Sequence, residues 1–169
     1  MVSKPAISQA RLREILNYDE ATGVFAWRVR RGIGTPAGKV AGTVKPKGYI
    51  VIFIEGRCYF AHRLAFLYMQ GVWPDDQVDH IDGNRANNAW ANLRTATARE
   101  NSWNAKRKRD NRVGLKGVSG AKNKFRASIY VDGKNRYLGL FATPEAAHAA
   151  HVEAARQLRG KFAWTGSAA

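Results

Sequence analysis

Cysteine is almost absent: Cys58 is the single one in 169 residues. A lone thiol makes no intramolecular disulfide, and it rules out zinc fingers built on cysteine clusters and iron–sulfur centres. Long apolar runs are missing too. No stretch approaches the roughly eighteen residues a membrane span needs, and the N-terminus lacks the apolar centre of a signal peptide, so the expectation is an intracellular, cytoplasmic protein without a membrane partner. Acidic residues are scarce: 13 Asp and Glu face 28 Lys and Arg, a formal net charge of +15. A small acidic metabolite would not call for such a field, whereas a polyanion would. What is plentiful is core material. An apolar share of 45% with 11% aromatics excludes a largely disordered chain and leaves room for one medium or two small domains.

The charge is unevenly spread. Residues 1–70 carry eleven basic and four acidic side chains, residues 71–113 eight and six, and residues 114–169 nine and three. Two basic flanks therefore enclose a nearly balanced middle. Carboxylates oppose phosphate binding unless some of them hold a cation. Asp75, Asp76 and Asp110 read as solvated loop residues; Asp79 does not.

Periodicity places the elements. Leu12, Ile15 and Leu16 have helical spacing over 8–16, and Val24-Phe25-Ala26-Trp27 follows a turn as a strand. Residues 32–48, with five glycines and two prolines, read as a loop with short extended pieces. Residues 49–54 and 57–60 form two strands around Glu55-Gly56, and a helix over 61–70 stops at Gly71. Lys106-Arg107-Lys108-Arg109 with Asp110 and Asn111 reads as an exposed linker, which puts a domain boundary near residue 112.

Residues 77–104 carry the chemistry. Val78-Asp79-His80 is extended, Asp82-Gly83-Asn84 is a turn, 93–96 is extended, and Thr97-Ala98-Arg99-Glu100 is a capping box opening a helix that bears Asn101 and Asn104. A carboxylate and an amide carbonyl are hard oxygen ligands suited to Mg²⁺ or Mn²⁺ shared with substrate phosphate and water. A neutral imidazole beside that ion can take a proton from water, which fits metal-assisted phosphodiester hydrolysis. Neighbours on a regular strand face opposite sides, so Asp79 and His80 share a phosphate only if the strand ends or distorts there.

Asp79-His80, Asn92 thirteen residues on and Asn101 twenty-two residues on resemble the HNH motif of phage and intron-encoded homing endonucleases. The tracts HRLAF at 62–66 and DHIDGNRANN at 79–88 agree, and the resemblance covers roughly residues 7–104. It implies a ββα-metal nuclease domain over 1–112, with its motif core at 77–104, and a phage-encoded enzyme acting on double-stranded DNA in a bacterial host. It makes His80 the general base, Asn92 the residue that holds the loop and orients the histidine, and Asp79 and Asn101 the ligands of one divalent ion, Mg²⁺ or Mn²⁺.

Residues 117–141 alternate around turns at Asn123 and Asp132-Gly133. Phe125, Ala127, Ile129 and Val131 face one side; Arg126, Ser128 and Tyr130 face the other. Thr143 caps a helix running from Pro144 to about Arg159, with Ala146, Ala147, Ala150, Ala154 and Leu158 expected on its sheet-facing side. Three strands and a helix presenting Arg and Tyr suit a sheet laid in a DNA groove. Residues 114–164, with GVS, KFRASI, YLGLF and TPEAAHAAHVEAARQLRG, resemble the AP2 DNA-binding domain. The fold class is therefore α+β, a nuclease domain followed over 113–169 by an AP2-like domain of three strands and one helix. DNA contacts fall to Lys106, Arg107, Lys108, Arg109, Lys122, Lys124, Arg126, Tyr130, Lys134, Arg136 and Tyr137.

Duller readings apply elsewhere. His62, His148 and His151 read as structural hydrogen-bonders, Cys58 as a small buried hydrophobe, and the tryptophans as core or packing residues. A non-catalytic DNA-binding regulator on a nuclease scaffold is the competing function, and the full Asp79, His80, Asn101 set argues against it. An RNA-directed nuclease is weaker still, since nothing resembles an RNA-stacking module.

Overall fold

A computed structural model of the chain describes residues 6–104 and 111–163, and its packing divides it into two compact units, 1–96 and 97–169. Both units mix helices and antiparallel sheets, an α+β architecture.

In the first unit, Ser8 accepts from the Arg11 N–H and starts helix α1, Gln9–Ile15. The helix ends one residue before the expected limit, because Leu16 turns extended and opens strand β1, Leu16–Asp19. That strand, not anticipated from the sequence, pairs with β2, Val24–Trp27. The glycine-rich segment contributes only β3, Thr43–Val44, to a sheet with β4, Ile50–Ile54, and β5, Arg57–Phe60. The β4–β5 loop consists of Glu55 and Gly56, both at positive φ (48° and 87°), the geometry of a tight hairpin that follows the strand twist. Helix α2, Ala61–Gln70, stops at Gly71 in the left-handed conformation. Strands β6, Gln77–His80, and β7, Leu93–Ala96, form a separate ribbon joined by a loop that closes in one turn of 3₁₀ helix, Trp90–Asn92. One core gathers Leu12, Leu16, Phe25, Trp27, Ile52, Ile54, Leu64, Val78 and Leu93, so α1, the two sheets, α2 and the β6–β7 ribbon share their apolar faces.

Cys58 is exposed, a correction to the buried placement expected for it. It pairs across the ladder with Phe53, which is also exposed, so both lie on the outer face while Ile52 and Ile54 take the inner one.

The second unit starts with α3, Ala98–Asn104, opened by the expected box: Glu100 accepts from the Thr97 N–H, and Thr97 Oγ1 accepts from the Glu100 N–H. Strands β8, Val118–Ala121, β9, Lys124–Val131, and β10, Lys134–Phe141, make one antiparallel sheet in the order β10-β9-β8. Helix α4, Pro144–Arg159, is capped by Thr143 and packs on the face carrying Ala127, Ile129 and Val131. Its buried stripe is Ala147, His151, Ala155 and Arg159, while Ala146 and Leu158 lie exposed. Of the expected face, Ala147 is buried and Ala150 and Ala154 pack against the sheet clusters, while His151, Ala155 and Arg159 complete the buried stripe. His151 fits because Gly117, at φ 77°, has no side chain: a Cβ there would lie 1.9 Å from the imidazole.

Candidate active site

The β6–β7 ribbon sets out the reactive groups. Asp79 and His80 are successive residues at the end of β6, and each is only 4% exposed. His80 Nε2 lies 3.1 Å from the Oδ1 of Asn88, which is fully buried. Asn88 Nδ2 donates to the Ala86 carbonyl, and this fixes which end of the amide faces the imidazole. With Oδ1 as acceptor, Nε2 carries the proton and Nδ1 keeps its lone pair. Asn88 is in turn held by its backbone, where the Tyr18 hydroxyl donates to its carbonyl at 2.6 Å. Burial first, then the charges of Glu20 and Asp19, push the Tyr18 hydroxyl up, which keeps it a donor. Gly23, at φ 74°, lets the β1–β2 turn approach this loop, since a Cβ there would fall 2.1 Å from the Asn88 carbonyl carbon. Neither Asn88 nor Tyr18 was singled out from the sequence. The run Asn87-Asn88 offered adjacent amides, but only the loop's path selects the one that reaches His80.

Aromatic rings close round the imidazole. The His62 ring meets His80 edge-on at 5.1 Å, Tyr49 lies 6.1 Å away, and Phe60 stacks on His62 at 5.3 Å. Burial, with smaller repulsion from His80 and Arg63, pushes His62 down to about 3, so it stays neutral. Burial also lowers His80, and Arg85 adds to this, against raising contributions from Asn88, Asp82 and Asp79. Burial keeps His80 in its basic, neutral form at ordinary pH.

Asp79 pairs across the ladder with Arg94, whose Nε and Nη2 both reach Oδ2, at 2.8 and 2.7 Å. It is the only buried carboxylate among the described residues. Asn92 Nδ2 donates to Asp82 Oδ1 and to the Asn87 carbonyl, while its Oδ1 accepts from the Asp82 N–H. These bonds tie both ends of the loop to its middle. Partial burial works to raise the Asp82 carboxyl, but donations from Asn87, the Asn84 N–H and Asn92 outweigh it and leave the group below the ordinary range. Asn101 lies half-buried in α3, its N–H donating to the Thr97 carbonyl.

Among the described residues no three His, Cys, Asp or Glu side chains gather to cage a metal. A buried carboxylate such as Asp79 is a hard oxygen donor, the kind that suits a hydrated hard cation.

In the second unit the register makes direct pairs of Arg126 with Ser119, Ser128 with Tyr137, and Tyr130 with Asn135. Tyr130 and Tyr137 stand 60% and 61% exposed, and the Arg126 guanidinium sits 6.0 Å from the Tyr137 ring centre. Lys122, Lys124, Lys134 and Arg136 are exposed, with Lys134 and Arg136 paired to Val131 and Ile129 on the other side of the ladder from Tyr130 and Tyr137. Lys106, Arg107, Lys108 and Arg109 lie outside the described residues. No helix among the described residues is long and apolar enough to cross a membrane.

Residues 59–103 match the family model for HNH endonucleases. That segment holds His62, Asp79, His80, Asn88, Asn92 and Asn101. The chain is 34% identical over 117 residues to the uncharacterized HNH endonuclease L560 of Acanthamoeba polyphaga mimivirus, covering 69% of this chain and 61% of that protein. It is 48% identical over 59 residues to Protein 3.8 of Escherichia phage T7, covering 34% of this chain and 49% of that protein. The chain thus spans about half to three-fifths of the length of these relatives. A solved structure described as DNA binding and cleavage by the HNH homing endonuclease I-HmuI aligns at 29% identity with a TM-score of 0.39, over 52% of this chain and 49% of that one.

Proposed function

We propose that this protein is a metal-dependent DNA endonuclease of the homing type, which hydrolyses phosphodiester bonds of double-stranded DNA in a bacterial host cell. The observation that carries the reading is the buried His80–Asn88 hydrogen bond beside Asp79, inside the segment that matches the HNH family. His80 holds its Nε2 proton on Asn88 and presents Nδ1 as the base. Nδ1 takes a proton from water, the water oxygen bonds to phosphorus, and the opposite P–O bond breaks with its electron pair leaving on the departing oxygen. Asp79 and Asn101 would hold one Mg²⁺ or Mn²⁺, which when bound supplies Lewis-acid polarisation of the phosphate. Arg94 holds the Asp79 carboxylate in place through its two hydrogen bonds to Oδ2. Asn92 keeps the loop closed so that Asn88 stays under the imidazole.

The second unit serves as an AP2-like reader. Arg126, Tyr130 and Tyr137 on the open sheet face contact DNA, the exposed Lys122, Lys124, Lys134 and Arg136 of the same unit supply phosphate contacts, and Lys106 to Arg109 add backbone contacts. The alternating burial of β9 supports this, because it commits one face to α4 and leaves the other to a partner.

Supercoiled plasmid incubated with the protein should be nicked or linearised with Mg²⁺ and left intact with EDTA. His80→Ala should lose roughly 10²–10⁴-fold in rate, the range for a positioned acid–base group, while still shifting DNA in a gel. A wild-type rate from His80→Ala would sink the mechanism. Binding without any metal-dependent cleavage by the wild type would favour the regulator reading.

A further inference from the structure

The second unit holds a cleft of about 480 Å³ lined by Arg99, Ser102, Trp103, Tyr130, Asp132 and Gly133. Among the described residues, neither of its two aromatic rings, Trp103 and Tyr130, belongs to the apolar clusters that join the sheet to α4. Both are nonetheless held in place. Lys116 Nζ donates to the Trp103 carbonyl at 2.8 Å, and the Arg159 guanidinium lies 5.7 Å from the indole centre. Nη2 of Arg159 also donates to the Tyr130 carbonyl at 2.9 Å. Arg99 sits 5.3 Å over the indole and ion-pairs with Asp132 across the cleft.

We infer that this cleft takes one unstacked nucleobase of the DNA, with Trp103 and Tyr130 supplying stacking surfaces and Arg99 and Asp132 the hydrogen-bonding edge. The carboxylate argues for a base over a phosphate. Asp132 would repel a phosphate, yet it can accept from an exocyclic amino group while Arg99 donates to ring or carbonyl acceptors. Without a base, Arg99 and Asp132 satisfy each other. Aromatic faces beside a fork of donors and acceptors are the means by which proteins hold a base removed from the stack. The volume is ample for one base and lies within the range of small-ligand sites. The inference rests on the DNA reading above for its ligand, and it adds a contact to the base itself beside the sheet's phosphate and groove contacts.

The test uses the full-length protein in EDTA, which suppresses cleavage, with two duplexes of one sequence. One is fully paired; the other carries a single extra, unpaired 2-aminopurine. Wild type should bind the bulged duplex more tightly, by roughly five- to hundredfold, the span of one base–aromatic stacking contact, and should quench its emission. Trp103→Ala should lose both the preference and the quenching, and Trp103→Phe should keep part of each. Tyr130→Ala, on an exposed side chain that cannot carry the fold, should weaken the preference with an unchanged melting curve. Equal affinity for both duplexes with unaltered emission overturns the inference and leaves the DNA reading standing. If neither duplex binds, both fall.

Discussion

At the scale of single residues the site turns on a buried carboxylate paired with a buried cation. Asp79 and Arg94 have side-chain exposures of 5% and 14% at 2.7 Å. Such a pair adds little net stability, but removing one partner strands the other charge, typically at a cost of about 3–5 kcal/mol. Asp79→Asn keeps the shape and removes the charge that neutralises Arg94 and that is proposed to hold the ion. Cleavage with Mg²⁺ should therefore fall at least about a hundredfold and the melting temperature should drop. DNA affinity should change little, because on the proposed reading it comes mainly from Lys and Arg contacts to phosphates. Plasmid nicking, gel shifts and thermal melts on one preparation would check all three. Unchanged cleavage would remove Asp79 from the metal site.

At the scale of elements, the loop between β6 and β7 behaves as a small machine clamped from two sides. Asn92 and Asp82 close it from within, and the β1–β2 hairpin supports it from outside through Tyr18 and the close approach of Gly23. Gly23→Ala tests that support. The new methyl meets backbone rather than a yielding side chain, and the positive φ is itself unfavourable for alanine. The expected result is a loss of more than about 1 kcal/mol in urea unfolding, together with slower cleavage, because Asn88 is pushed from under His80. Normal stability with normal activity would mean that the hairpin does not brace the site.

At the scale of the whole molecule, three buried histidines set the response to acid. Burial lowers His62, His80 and His151, with His62 taken down to about 3. In the unfolded chain each titrates near about 6.5. Above that value both states are neutral and these groups leave stability flat. Below it the unfolded chain binds protons that the fold refuses, so stability falls with pH, by up to about 1.4 kcal/mol per unit for each group. Denaturant titrations at pH 7.5, 6.5 and 5.5 should show this loss, and His62→Gln should make it shallower. A second prediction concerns α3, which carries Asn101 and is packed within the second unit by Lys116, Arg159 and Asp132. Removing residues 114–169 takes away all three. Metal-dependent cleavage should therefore be lost along with selective binding, while circular dichroism still reports a folded remainder. Retained site-selective cleavage would show that neither α3 packing nor the sheet is needed.

Much of this was written in local pattern. The hairpin dipeptides Glu55-Gly56 and Asp132-Gly133, the Thr97 and Thr143 caps and the alternation of β9 depend on neighbours a few residues apart, so they can be read from the chain directly. The residue types and spacing of Asp79, His80 and Asn101 suggest a chemistry before any fold is known, and their acting together belongs to the proposed mechanism. Three-dimensional packing decided the rest. Asn88 faces His80 because the loop doubles back, Arg94 meets Asp79 because of ladder register, and Cys58 points outward because Ile52 and Ile54 fix the inner face. On α4 the alanines Ala147, Ala150 and Ala154 face the sheet as expected, and His151 joins them because Gly117 has no side chain. Trp103 lines a cleft with Tyr130, which the fold brings to it from β9. Spacing along a chain fixes which residues can share a helix face or strand side. Which partner a side chain meets across a loop or a ladder is a matter of distant segments brought together, and only the tertiary structure settles it.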